Sequence, residues 1–198
     1  MAGRVVIWDL GMVLVSFNHD LCINALAAAS SATPAELARV IEVDLRPSFE
    51  RGELTPEGLY EYLCKRFKLG LEMEAFFRVW ADVFTPVPET TQLLKELSGK
   101  VQQCLLSNTD AIHFPWIRDR WDFIGYLDHV VVSYEVHARK PDSCIYQEAL
   151  ARTGAQPEDC LFVDDVREYV DAATGLGIHG HCHLDPLETV RVVNRWIA

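Results

Sequence analysis

Short apolar runs that stop abruptly at polar residues constrain this chain more than any other feature. Arg4 to Trp8 is a β-branched stretch broken by Asp9, Val101 to Leu106 ends in Ser107 and Asn108, His129 to Val132 ends in Ser133, and Cys160 to Val163 ends in Asp164 and Asp165. Runs of this length without alternation describe strands buried on both faces, as in a parallel sheet covered by helices on either side. Ile178 to His183 is a weaker fifth run. Helical patterns fall between the strands, at Ala111 to Arg120, Ser143 to Thr153, Arg167 to Leu176 and Leu187 to Trp196, so strand and helix alternate along the chain. Right-handed crossovers would then gather every polar strand end on one edge of one sheet, the edge where open α/β sheets keep their sites.

Residues 18 to 86 interrupt the alternation with helix signals and hardly any strand signals. Thr33-Pro34-Ala35-Glu36 predicts a capping box with proline at the first helical position, and Thr55-Pro56-Glu57 repeats the Thr-Pro start. Arg51-Gly52-Glu53 predicts a turn between them. Phe76, Phe77, Trp80 and Phe84 recur at helical spacing and are expected to form the core of this segment. The expected division is a core of residues 1–17 and 87–198 with a small helical insertion at 18–86.

The 198 residues are 49% hydrophobic and 24% charged, a composition that folds. A net charge of -11 without a basic run opposes nucleic acid or an anionic membrane surface as partner. The apolar stretch before Asp9 is too short for a signal peptide and no segment reaches spanning length, so a cytoplasmic protein is expected. Six cysteines without a C-x-x-C pair read as reduced, mostly buried thiols.

Asp9, Ser107, Asn108, Asp164 and Asp165 thus belong at one sheet edge. Carboxylates converging there repel one another unless a hard divalent cation with oxygen ligands neutralises them. Ser107 and Asn108 offer a hydroxyl and an amide to an anion, and Lys140, in Arg139-Lys140-Pro141-Asp142, adds a positive charge. His179, His181 and His183 alternate on the last run, which would place three imidazoles on one strand face, a polar face or a transition-metal site. His113, early in its helix, reads as a proton donor at the mouth of the site or as an ordinary surface histidine.

The motifs DLGMVLV, LLSNT, RKPD and FVDDVREYVDAATGLG resemble, in order and spacing, the four signatures of the haloacid dehalogenase superfamily. ERGELT, SNT and RKPDSCIYQEAL are similar to bacterial phosphatases of the α-glucose-1-phosphate type and to the phosphatase domain of soluble epoxide hydrolase. The resemblance implies a Rossmann-like α/β core with a helical cap. It makes Asp9 a nucleophile that forms an aspartyl phosphate, with Ser107, Asn108 and Lys140 around the phosphoryl oxygens. Mg²⁺ would be held by Asp9, the Gly11 carbonyl and Asp165, with Asp164 as its neighbour. Phe17, His19, Arg46, Glu50 and His113 would face the leaving group of a small phosphorylated metabolite. The family usually carries a second aspartate two residues after the nucleophile, as general acid and base; here that position is Gly11, which favours a leaving group as easy as the anomeric oxygen of a sugar 1-phosphate. Dehalogenation of a 2-haloacid and a non-catalytic binding module are the alternative readings, and the protein is expected to be a monomer or homodimer.

Overall fold

The computed structural model describes residues 3–198; Met1 and Ala2, part of the expected core segment, lie outside them. Seven strands occur in the described chain: β1 (Val5–Trp8), β2 (Val15–Phe17), β3 (Phe84–Pro86), β4 (Gln102–Ser107), β5 (His129–Val132), β6 (Cys160–Asp164) and β7 (His179–Cys182). Five form one sheet in the order β5-β4-β1-β6-β7, and each pairing within it is parallel. The α/β class expected from the sequence is therefore the observed one.

Burial on both faces explains the continuous apolar runs. All four residues of β1 and all five of β6 are buried. Successive side chains point to opposite faces of a strand, so Val6, Trp8, Leu105 and Val163 pack with Leu93, Leu94, Ile117 and Val193 on one side. Val5, Ile7, Cys104 and Phe162 pack with Ile145, Tyr146 and Ala149 on the other. Truncating a fully buried aliphatic such as Ile7 to alanine costs about 2–5 kcal/mol in such a setting.

Residues beyond β2 fold as helices at His19–Ala28, Pro34–Arg39, Arg46–Glu50, Pro56–Phe67 and Met73–Ala81, with wider π turns over Val40–Leu45. They share a core of their own containing Leu26, Leu37, Leu59, Leu63 and Phe76. Both Thr-Pro starts behave as their sequence predicts. The Thr33 hydroxyl accepts from the Glu36 N–H while the Glu36 carboxylate accepts from the Thr33 N–H, and the Thr55 hydroxyl accepts from the Gly58 N–H at 3.1 Å. The Arg51–Glu53 turn touches the sheet side of the molecule. Gly52 has φ +68°, and a Cβ there would collide with the Tyr134 carbonyl; beside it, His137 Nδ1 donates to the Arg51 carbonyl at 2.8 Å.

One element is absent from the sequence reading. β2 and β3 pair antiparallel, Phe17 opposite Phe84, and close the base of the helical excursion. Strands of three residues lack a measurable period, and Phe84 falls at helical spacing with Phe76, Phe77 and Trp80.

Candidate active site

The parallel register sets Trp8 beside Leu105 and Val163, so Asp9 leaves the sheet next to the ends of β4 and β6. Its N–H donates to the Val163 carbonyl at 2.9 Å. Lys140 reaches this edge from the loop after β5. Its ammonium donates to Asp9 Oδ1 at 2.7 Å and to Asp164 Oδ2 at 2.6 Å, with the lysine side chain 1% exposed. Asp164 is wholly enclosed, and its second oxygen accepts from the Val166 N–H at 2.8 Å. Asp9, Asp164 and Asp165 each bring a carboxylate oxygen within 4.8 Å of the others.

These charges do not balance. Three carboxylates face one ammonium, and burial together with repulsion from Asp164 overcomes the pull of Lys140, pushing the Asp9 carboxyl up from 3.8 to about 7. Burial and the neighbouring Asp164 also raise Asp165. Burial pulls Lys140 down, but Asp9 and Asp164 outweigh it and hold its ammonium charged. An oxygen-only donor set with excess negative charge suits a hard divalent cation such as Mg²⁺. Asp165, half-buried on the cavity wall, has neither the lysine nor the Val166 N–H that occupy Asp164.

Asn108 takes a place different from the expected one. Its side-chain amide donates to the Lys140 carbonyl at 3.0 Å and its side-chain oxygen accepts from the Lys140 N–H at 2.8 Å. The carboxamide assigned from sequence to an anion is thus committed to fixing the backbone that carries Lys140. Ser107 ends β4 buried and lines the cavity. Ser133, the polar end of β5, is turned to Thr109, accepting from its N–H and donating to its carbonyl.

A cavity of about 240 Å³ separates the sheet edge from the helices. Phe17, His19, Arg46, Glu50 and His113 all line it. Arg46 joins Glu42 at 2.5 Å and donates to His19 Nδ1 at 2.8 Å. Arg139 Nη2 lies 2.6 Å from Glu50 Oε2, a charge contact poorly directed for hydrogen bonding, which leaves that oxygen and Arg139 Nε without a directed partner. Burial raises the Glu50 carboxyl despite Arg139 and Arg46.

His113 reaches the cavity as expected and is not a surface histidine, its side chain being 14% exposed. Its Nδ1 lies 2.7 Å from Asp110 Oδ2 and its Nε2 lies 3.0 Å from the Trp80 carbonyl. Both partners are acceptors, one facing each ring nitrogen. Burial opposes the charge on Asp110, but His113 and the N–H groups of Ile112 and His113 outweigh it and depress its pKa. Sequence reasoning passed over Asp110 because an aspartate just before a helix reads as a cap, and its hydrogen bonds to those two N–H groups are of that kind. Phe76 and Trp80 are buried in the helical core with Phe77 and Phe84 packed against it, as expected, and Trp80 and Phe84 line the cavity as well.

At Gly11, a Cβ would stand 3.1 Å from Phe17 Cε1. The ring borders the space that an aspartate side chain would enter. On and just after the neighbouring strand, where the His183 N–H donates to the Asp164 carbonyl at 2.8 Å, His181 and His183 both bond the Thr189 hydroxyl, and His179 packs on Trp196. All six cysteines are free. Cys22, Cys104 and Cys160 are buried, and burial raises their thiols to about 12, 12 and 11, whereas Cys144 is exposed.

Residues 4–177 match the haloacid dehalogenase-like hydrolases. The chain belongs to that family of hydrolytic enzymes. It is 29% identical over 191 residues to the sesquiterpene phosphatase astK of Aspergillus oryzae, covering 94% of this chain and 92% of that protein. Phosphoglycolate phosphatase 1 of Pseudomonas aeruginosa is 26% identical, with 93% and 72% covered. A solved structure of the HAD family enzyme bt-2542 of Bacteroides thetaiotaomicron, in complex with magnesium and inorganic phosphate, superposes with a TM-score of 0.82 at 22% identity, covering 91% of this chain and 93% of that one. This likeness establishes the fold.

Proposed function

We propose that this protein is a Mg²⁺-dependent phosphomonoester hydrolase acting on a small phosphorylated metabolite. The observation that carries the reading is the Lys140 ammonium held between Asp9 and Asp164 amid an excess of buried carboxylate. Asp9 attacks phosphorus and the bond to the leaving oxygen breaks, giving an aspartyl phosphate; water then attacks that phosphorus, restores Asp9 and releases phosphate. Ser107 and Lys140 hold the phosphoryl oxygens, with Asn108 fixing the lysine's backbone. Asp9, the Gly11 carbonyl and Asp165 hold the cation, and Asp164 steadies Lys140 beside them. When bound, Mg²⁺ neutralises charge on the transferring group.

Residues 18–86 act as a cap over the core of residues 1–17 and 87–198, and Phe17, His19, Arg46, Glu50 and His113 border the leaving group. No carboxylate at position 11 can protonate the departing oxygen, so it takes its proton from solvent. That condition supports an easily departing alcohol, of which the hemiacetal of a sugar 1-phosphate is one kind. No helix among the described residues is long and apolar enough to cross a membrane, which with the acidic surface supports action on a dissolved substrate in the cytoplasm.

Phosphate release from p-nitrophenyl phosphate tests the reading. It is expected with Mg²⁺, to vanish with chelator, and to fall by roughly 10³-fold or more in Asp9→Asn. Undiminished turnover in that variant rules the mechanism out.

A further inference from the structure

The part of the cavity that faces away from the sheet edge is not built for a sugar. Cys22, Ile23, Ile41, Leu45, Phe49 and Trp80 line it, all buried hydrophobic residues. The charged groups among its walls are largely occupied by one another: Arg46 by Glu42 and His19, Glu50 by Arg139, and His113 by Asp110 and the Trp80 carbonyl. The Trp80 indole N–H, Glu50 Oε2 and Arg139 Nε are buried side-chain polar atoms of these walls without a directed partner. A hexose entering this space would strip several hydroxyls of water with few acceptors and donors to replace it, at roughly 1–3 kcal/mol for each one left unpaired.

We infer, on the basis of the phosphatase reading, that the substrate is the phosphate monoester of an apolar alcohol, its carbon frame seated against this wall. Two further observations agree. The cavity of about 240 Å³ is smaller than typical ligand sites, which run from ~300 to 1,000 Å³, so the frame is compact. Phe17 stacks on His19 with ring centroids 4.5 Å apart and meets Phe84 edge-on at 6.0 Å. Aromatic faces therefore border the passage beside Gly11, where the oxygen departs. A flat apolar alcohol whose oxygen leaves readily, as a phenol's does, meets both demands of the site: packing against rings and departure without a carboxylic acid.

Inert phosphonates separate this inference from the phosphatase reading. Affinities of phenylphosphonate and 1-naphthylphosphonate are measured calorimetrically with Mg²⁺ and the intact protein, alongside glucose 1-phosphate at low temperature. The naphthyl compound is expected to bind about tenfold more tightly than the phenyl one, as the added apolar area is buried, and glucose 1-phosphate more weakly than either. Equal affinities for the two phosphonates, or tighter binding of glucose 1-phosphate, overturn the inference. Tighter naphthyl binding without hydrolysis of phenyl or naphthyl phosphate upholds the apolar site and removes the phosphatase reading instead.

Discussion

The ring of Phe17 lies over Gly11, its Cε1 3.1 Å from the point where a Cβ at that position would stand. Glycine there is thus matched by a neighbour that occupies the adjoining space, and the two residues vary the site as a pair. Gly11→Asp alone must move the ring, and its phosphatase rate is expected to stay within about threefold of the parent or to fall. Gly11→Asp with Phe17→Ala is expected to gain about 10–100-fold in kcat on phenyl phosphate, since acid-base help is worth ~10²–10⁴ when well placed. A full gain from the single substitution contradicts this coupling.

The unbalanced carboxylates give metal binding a pH signature. The Asp9 carboxyl rises from 3.8 to about 7 on folding, so between those values the folded protein keeps a proton that the unfolded chain has released. Its contribution to stability is full below about pH 4 and is lost as the pH climbs through 7. Mg²⁺ held as proposed would compete for the same oxygens, so its stabilising effect would grow in the opposite direction. Thermal unfolding with saturating Mg²⁺ or with chelator is expected to differ by ~3–5 °C at pH 8 and by less than half of that at pH 5.5. A larger metal effect at the lower pH would falsify this account.

Asn108 offers a test of positioning. Asn108→Ala removes both hydrogen bonds to the Lys140 backbone, at an expected cost of about 1–3 kcal/mol in stability and roughly tenfold or more in kcat through a looser ammonium. Urea unfolding and phosphate release on the same preparation check both effects. Parent-like turnover in the variant shows that the lysine needs no such support.

Asp110 and His113 pair through side chains that are 6% and 14% exposed. His113→Ala strands the buried Asp110 carboxylate, so it is expected to cost about 3 kcal/mol or more in urea unfolding. The depressed Asp110 carboxyl contributes stability that is present above pH 3.8 and lost as the pH falls below it. The difference between parent and His113→Ala should therefore shrink in strongly acidic buffer; a difference that does not depend on pH points to lost packing alone.

Much of the fold was legible because it is local. β1 and β6 announce themselves as unbroken apolar runs, since burial on both faces removes the alternation that would mark an exposed sheet. Thr33 and Thr55 cap helices with partners three residues away, within reach of any reading of spacing. The ribbon of β2 and β3 pairs Ser16 with Thr85, and neither three-residue segment carries a period that marks it as a strand. Trp80 and Phe84 look like Phe76 in sequence; only the packing of the helices over the sheet gives these two a second role as cavity wall.

Sequence alone determined that acidic and polar side chains would end neighbouring strands, because strand polarity and the crossover rule carry each one to the same edge. Tertiary structure decided what each of them does there. Asn108 turns to a backbone 32 residues away, Asp164 is taken by Lys140 while Asp165 faces the cavity, and Phe17 borders the space beside Gly11. These are contacts between distant segments, set by side-chain direction and by competition for hydrogen-bond partners, and no spacing along the chain encodes which partner wins.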